Sequence, residues 1–197
     1  MGQQLVAQQI AKVAMTGRDM RDYEYHFPIK LEQFKGQKVL DLGSGLGHFV
    51  KQCRDLGIEA VGIDWQVHLP EARDSAYGDL LRDGQVAGSA EELPIRTASI
   101  KLAVSLVAPF FYLKDNYPDM ESRFDATKRT LKEMARVLEP GGQAYVDTVH
   151  FVWPSDNGTN DTNRRWVAKA FSEITSDARI KWEFLGTGSG FVMSKQA

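Results

Sequence analysis

Val39-Leu40-Asp41-Leu42-Gly43-Ser44-Gly45-Leu46-Gly47 runs from aliphatic residues into three alternating glycines, and its reading decides the fold. The apolar run closed by glycines predicts a strand over Gln37 to Leu42 that ends in a sharp turn. Phe49, Val50 and Cys53 then supply one apolar face of a helix that stops at Gly57, where a left-handed cap is expected. A strand that passes through glycines into a helix brings backbone close to a ligand, because glycine has no side chain in the way and tolerates positive φ. The dinucleotide fingerprint needs G-x-G-x-x-G, but here the third glycine comes one residue early and His48 follows it. A pyrophosphate therefore fits poorly.

Asp41 stands at the mouth of the turn, where a carboxylate repels a pyrophosphate and attracts a ligand that carries an ammonium and a sulfonium. Glu59 to Ile63 reads as a second strand, closed by Asp64, about 20 residues beyond the glycines, where a carboxylate can accept hydrogen bonds from both ribose hydroxyls. Together the two acids select a nucleoside with a positively charged tail.

Further strands are expected at Gly84 to Gly88, Ile100 to Leu106 and Gln143 to Val149. The clearest helix is Met120 to Leu138, with Phe124, Thr127, Leu131, Ala135 and Leu138 on one face and a stop at Pro140-Gly141-Gly142. Strands alternating with helices predict a parallel α/β sheet covered on both sides. Arg179 to Leu185 and Phe191 to Lys195 flank a glycine-rich turn and read as an antiparallel hairpin. Leu5, Val6, Ile10, Val13 and Ala14 predict an amphipathic helix that ends near Gly17, and Tyr23, Tyr25, His26 and Phe27 follow it. These rings either staple that helix to the body or close over a ligand. One domain is expected over residues 1–197, with residues 1–35 as a helical cap on a core of residues 36–197.

With 24 Lys+Arg against 26 Asp+Glu, a net charge of −2 provides no field to hold a polyanion, which argues against nucleic acid and favours a small-molecule partner. The single cysteine, Cys53, forms no intrachain disulfide, and no Cys or His cluster has metal-ligand spacing, so no metal is expected. No apolar run approaches the roughly 20 residues of a membrane span. The first residues lack a secretory apolar region, so a reducing, cytoplasmic setting is expected. The sequons Asn157-Gly158-Thr159 and Asn160-Asp161-Thr162 read as polar loop.

In order along the chain, the glycine turn is followed by Val61-Gly62-Ile63-Asp64, Gly88-Ser89-Ala90-Glu91-Glu92-Leu93-Pro94-Ile95 and Leu131-Lys132-Glu133-Met134-Ala135-Arg136-Val137-Leu138-Glu139-Pro140-Gly141-Gly142. This series resembles the class I S-adenosylmethionine-dependent methyltransferases, particularly the small-molecule branch that includes ubiquinone and menaquinone biosynthesis enzymes. The resemblance covers about Val39 to Val149 and implies a Rossmann-like, seven-stranded, mostly parallel sheet with the last strand antiparallel. It implies S-adenosylmethionine as cofactor and S-adenosylhomocysteine as product. Asp41, Gly43, Ser44, Gly45 and Gly47 would face the methionine part, Asp64 the ribose and Trp65 the adenine; Ser89 and Ala90 would border the adenine, with Leu106 and Val107 beneath. The family often has an acid where Ser89 stands, which leaves Glu91 as the alternative adenine contact; Lys101, where Asp is usual, reads as a surface change.

Methyl transfer from a sulfonium mainly requires alignment and exclusion of water. A general base helps where the acceptor is a hydroxyl or a protonated amine, and His150, just past the fifth strand, is the candidate. Pro109-Phe110-Phe111-Tyr112 and Phe151-Val152-Trp153-Pro154 give the same edge an aromatic lining, so Phe110, Phe111, Tyr112, Trp153 and Tyr25 are the expected substrate contacts. Ser105-Leu106-Val107-Ala108 replaces the Asn/Asp-Pro-Pro-Tyr/Phe tetrapeptide that grips exocyclic amines, which argues against base-amine methylation of DNA. Two rival readings stand beside the enzyme: a non-catalytic subunit of the same fold that binds a protein partner, and a nicotinamide-dependent oxidoreductase, disfavoured by the glycine spacing and Asp41.

Overall fold

The opening strand is β1, Lys38–Leu42, in a computed structural model that describes residues 18–65, 84–106, 116–147, 160–174, 179–186 and 190–197. Beyond Lys38 every residue of β1 is buried, as expected for a strand covered on both faces by helices. It pairs in parallel with β2, Glu59–Asp64, on one side and with β4, Ile100–Ser105, on the other. Outward from these lie β3, Gln85–Ala87, beside β2, and β5, Leu138–Asp147, beside β4. The hairpin of β6, Ile180–Phe184, and β7, Gly190–Lys195, completes a sheet of order β3-β2-β1-β4-β5-β7-β6, with β7 antiparallel to both its neighbours. This is the seven-stranded, mostly parallel architecture expected from the sequence.

The helices cover the two faces. Leu40 and Leu42 face a core built with α3, Met120–Val137, and α4, Asn160–Ile174, whose Leu131, Met134, Val167 and Phe171 are buried. Val39 and Val104 face the opposite core, with Tyr23 and Phe27 from α1, Met20–His26, and its C-cap, and with Phe49, Val50 and Cys53 from α2, His48–Asp55. Among the described residues, no helix is long and apolar enough to cross a membrane.

The end of α2 follows the expected cap. Gly57 has φ +80°, its N–H donates to the Arg54 carbonyl at 2.9 Å, and the Ile58 N–H donates to the Cys53 carbonyl at 3.0 Å. These two bonds form the Schellman arrangement, which satisfies carbonyls the helix leaves open.

Several sequence expectations shift. The strand read at Gln143 to Val149 begins at Leu138, directly after α3, and its described part ends at Asp147. Ile100 pairs with Leu138 and Leu102 with Gln143, so residues 139–142 bulge out of the ladder, and Gly141, at φ +76°, lets the chain rejoin it. The Pro-Gly-Gly stop therefore lies inside the strand's span. The buried face of α3 includes Thr130 and Met134, whereas Ala135 is only partly buried, and Leu138 leaves the helix as its cap. Lys195 of β7, itself buried, donates through Nζ to the Leu138 carbonyl at 2.8 Å and the Ala135 carbonyl at 3.1 Å, so a cation closes the negative end of α3. The helix α1 was not read from the sequence: Asp19 starts it with a reciprocal capping box to Asp22. The helix expected before Gly17 lies outside the described residues.

Gly57→Ala is expected to lower stability by about 1 kcal/mol, since the site is open but its positive φ strains any side chain. Urea denaturation checks this; ligand binding should be unchanged.

Candidate functional site

The strand order reverses between β1 and β4, because β2 and β3 are laid down to one side of β1 and β4 and β5 to the other. In open α/β sheets the crevice outside the carboxyl ends of the strands at such a reversal is where ligands bind. The glycine turn lies there. The Gly43 N–H donates to the Ile63 carbonyl at 2.8 Å, bending the chain from β1 across the end of β2, and the Ser105 hydroxyl donates to the Leu42 carbonyl at 2.8 Å from the β4 side. Gly43, Gly45 and Gly47 all have positive φ, at +74°, +54° and +79°. All three expected glycines are therefore conformational requirements here.

Asp64, 4% exposed at the end of β2, accepts from the Gly45 N–H at 3.0 Å, so the two expected acids and the turn are drawn together at this edge. Trp65 follows and is 40% exposed. Ala87 of β3 pairs with Asp64, which carries Ser89 and Ala90, two and three residues further on, to the same edge. Leu106 is buried at the end of β4. The Glu91 carboxylate accepts from the Tyr117 hydroxyl at 2.6 Å and from Arg129 Nε and Nη2 at 2.9 and 2.7 Å. It ties the loop after β3 to α3. Glu133 and Arg136 do the same lower down. Glu133 accepts from the Leu93 N–H at 2.7 Å, and Arg136 donates to the Leu93 and Ile95 carbonyls at 3.0 and 2.9 Å. Lys101, read as a surface change, lies 3.6 Å from Glu139 in a half-exposed ion pair.

Tyr25, expected at the substrate, is 87% exposed and lies edge-on to His26, because the helical turn of α1 sends Tyr25 outward and Tyr23 inward. Val107, Phe110, Phe111, Tyr112, His150 and Trp153 lie outside the described residues.

Two residues stand at this edge without having been singled out as site residues from the sequence: Tyr23, read only as one of a cluster of rings that staple a helix or close over a ligand, and Gln85. The Tyr23 hydroxyl donates to Asp41 Oδ1 at 2.8 Å. Its ring lies 4.0 Å from that of Phe49, and the Met20 N–H donates to Gln52 Oε1 at 2.8 Å, so α1 is docked on α2. Gln85, on β3, accepts from the Ser44 hydroxyl at 2.6 Å, and its side chain fills the space over Gly62 and against Gly47. A methyl added at Gly62 would meet Ser44 Oγ at 2.5 Å and Gln85 Oε1 at 2.6 Å. The only sequence signal for Gln85 is a polar residue at the start of an otherwise apolar strand.

The electrostatics centre on Asp41. It is 1% exposed, and Oδ2 has no hydrogen-bond partner among the described residues. Burial pushes its carboxyl from the ordinary 3.8 to about 7, against the opposing pull of the Tyr23 hydrogen bond and Arg18; Asp64 nearby adds to the rise. A buried acid with an unpartnered oxygen beside backbone turned by glycines is suited to a ligand that brings its own cationic donor.

The model of the Methyltransferase domain family matches residues 40–146, more than half of the chain. An uncharacterised methyltransferase of Mycobacterium bovis is 30% identical over 141 residues, 72% of this chain and 48% of the relative, so the chain spans about half of that relative's length. A malonyl-[acyl-carrier protein] O-methyltransferase of Pseudescherichia vulneris is 26% identical over 87% of this chain and 70% of its own length. The crystal structure of DesVI from Streptomyces venezuelae superposes with a TM-score of 0.62 at 13% identity, covering 96% of this chain and 98% of that one. The chain belongs to the Methyltransferase domain family, in the class I S-adenosylmethionine-dependent group. That membership sets aside the nicotinamide-dependent oxidoreductase.

Because the folded-state value of Asp41 is raised, its contribution to stability is full below the unfolded value near 4 and is lost as pH rises through about 7. Asp41→Asn, which cannot ionise, is therefore expected to gain on the parent protein, on the order of 2 kcal/mol, between pH 5 and pH 8. Urea denaturation at the two pH values measures this, and an unchanging difference would contradict the burial of an ionisable Asp41.

Proposed function

We propose that this chain binds S-adenosylmethionine across the carboxyl ends of β1, β2, β3 and β4 and transfers its methyl group to a small-molecule acceptor. The observation that carries the reading is Asp41, buried at the reversal point of the sheet with Oδ2 unpartnered among the described residues. A nicotinamide dinucleotide offers that oxygen a phosphate, which it repels; an amino-acid ammonium offers a charged donor.

In this reading Asp41 receives the ammonium, and the backbone of Gly43 to Gly47 lies against the methionine part. Asp64 accepts from the ribose hydroxyls, with Trp65 and the Ser89-Ala90 loop beside the adenine. The bound sulfonium supplies an electrophilic methyl carbon. What remains for the protein is to hold the acceptor in line with the carbon-sulfur bond and to keep water away. Glu91, Glu133 and Arg136 support this indirectly by clamping the loop after β3 onto α3. His150 is proposed as proton acceptor where the acceptor is a hydroxyl or a protonated amine, and Phe110, Phe111, Tyr112 and Trp153 as acceptor contacts, on their sequence positions after the fourth and fifth strands. The relationship to a malonyl-[acyl-carrier protein] O-methyltransferase makes a malonyl thioester the first acceptor to test.

Thermal shift provides the direct check. S-adenosylmethionine and S-adenosylhomocysteine at 100 times their dissociation constants are expected to stabilise the protein by about 2.7 kcal/mol, and NAD not at all. Asp64→Ala should lose the shift while retaining its fold. Stabilisation by NAD alone, or an undiminished shift in Asp64→Ala, would contradict the assignment.

A further inference from the structure

Tyr23 reaches the site from outside the sheet, on a helix whose register is fixed at both ends. Asp19 and Asp22 close the capping box at the start of α1, the Met20 N–H is held by Gln52 of α2, and the Phe27 N–H closes the far end on the Tyr23 carbonyl at 2.9 Å. The ring is 1% exposed and packed between Phe49 at 4.0 Å and Phe27 at 6.3 Å. The hydroxyl therefore has one place to be, and there it donates to Asp41 Oδ1 at 2.8 Å. One oxygen of the carboxylate is held and the other, Oδ2, is left without a partner among the described residues. A donor on Oδ1 does two things: it fixes the plane of the carboxylate, and it favours the ionised form over the neutral acid.

We propose that Tyr23 is a positioning residue for the methyl donor: its hydroxyl orients Asp41 as a carboxylate and leaves Oδ2 for the donor's ammonium. The inference rests on the cofactor reading above and adds to it a dependence of cofactor affinity on α1. The groups that face Asp41 act in both directions. Tyr23 of α1 and Arg18, which precedes the helix, favour the carboxylate; Asp64 of β2 opposes it. Cys53 of α2 stays neutral, its thiol pushed up to about 12 by burial and by Asp41. Tyr23 likewise keeps its proton, because burial and Asp41 hold it well above the usual tyrosine range. It remains a donor throughout the range in which Asp41 ionises. Below about pH 7 a cationic ligand must therefore displace a proton from Asp41 as it binds.

Isothermal titration of S-adenosylhomocysteine into the full chain, the Tyr23→Phe variant and the Asp41→Asn variant, from pH 5.5 to 8.5, tests this. In the parent, affinity should climb with pH and level off above about 7. Tyr23→Phe keeps the ring that packs on Phe49 and removes only the donor. It should bind about tenfold more weakly at pH 7 and level off at a higher pH, so that the loss shrinks as the solution becomes more alkaline. Asp41→Asn should bind weakly with no such dependence. A purely structural role for Tyr23 lowers affinity without moving the pH profile. Matching profiles for the parent and Tyr23→Phe would therefore overturn the proposal while leaving the cofactor reading intact. Failure of the parent to bind at any pH would overturn both.

Discussion

A carboxyl group, 1% exposed, sits at the end of the central strand with one oxygen held by a tyrosine and the other without a partner among the described residues. β1 is flanked by strands on both sides and covered by helices on both faces, so every residue beyond Lys38 is removed from water. An acid in such a strand loses solvation that nothing in the apolar core replaces. It is tolerable only where the strand runs out, at the crevice opened by the reversal of strand order. The position of Asp41 two residues before the first glycine is thus set by the topology: one residue later its side chain would turn to the core of α3 and α4, where Leu40 and Leu42 pack.

The surrounding structure works to keep that end of the sheet open in one direction and closed in the others. Positive φ at Gly43, Gly45 and Gly47 lets the backbone fold back over β2, and the absence of a side chain at Gly62 makes room for Ser44 and Gln85 beneath the turn. Ser105 ties the floor to β4. The helix α3 holds the neighbouring loop by charged groups on one side, with Arg129 on Glu91 and Arg136 on the Leu93 and Ile95 carbonyls, while Leu93 is buried in the core beneath. Stability and ligand fit oppose each other at Asp41, as is common where a site keeps an uncompensated group for its ligand.

Much of this was legible in the sequence because it depends on local pattern. Short apolar runs, closed by glycine after β1 and by aspartate after β2, marked these strands and β4 to within a residue, and the two segments flanking a glycine-rich turn near the end gave the antiparallel hairpin. Gly57 was readable as a cap because a left-handed residue after an apolar helix face is a local requirement. What local pattern does not carry is decided by distant residues. The start of β5 could not be seen, since the pairing of Ile100 with Leu138 carries the strand through Pro140, Gly141 and Gly142, which read locally as a stop. Tyr23 and Tyr25 are indistinguishable by composition; the capping box at Asp19 sets the turn of α1, and that turn sends one ring to Asp41 and the other to solvent. The hold of Glu91 on Tyr117 and Arg129 is not legible locally, because these partners come from a segment far along the chain.

The central claim is that Asp41 is a buried acid kept for a cationic ligand, and the titration of its own carboxyl carbon by NMR tests that claim most directly. In the ligand-free protein the carboxyl is expected to titrate at about 7, and in the complex with S-adenosylhomocysteine it should stay ionised to well below that value. An ordinary carboxylate titration in the free protein, or the same titration with and without the ligand, would contradict the account.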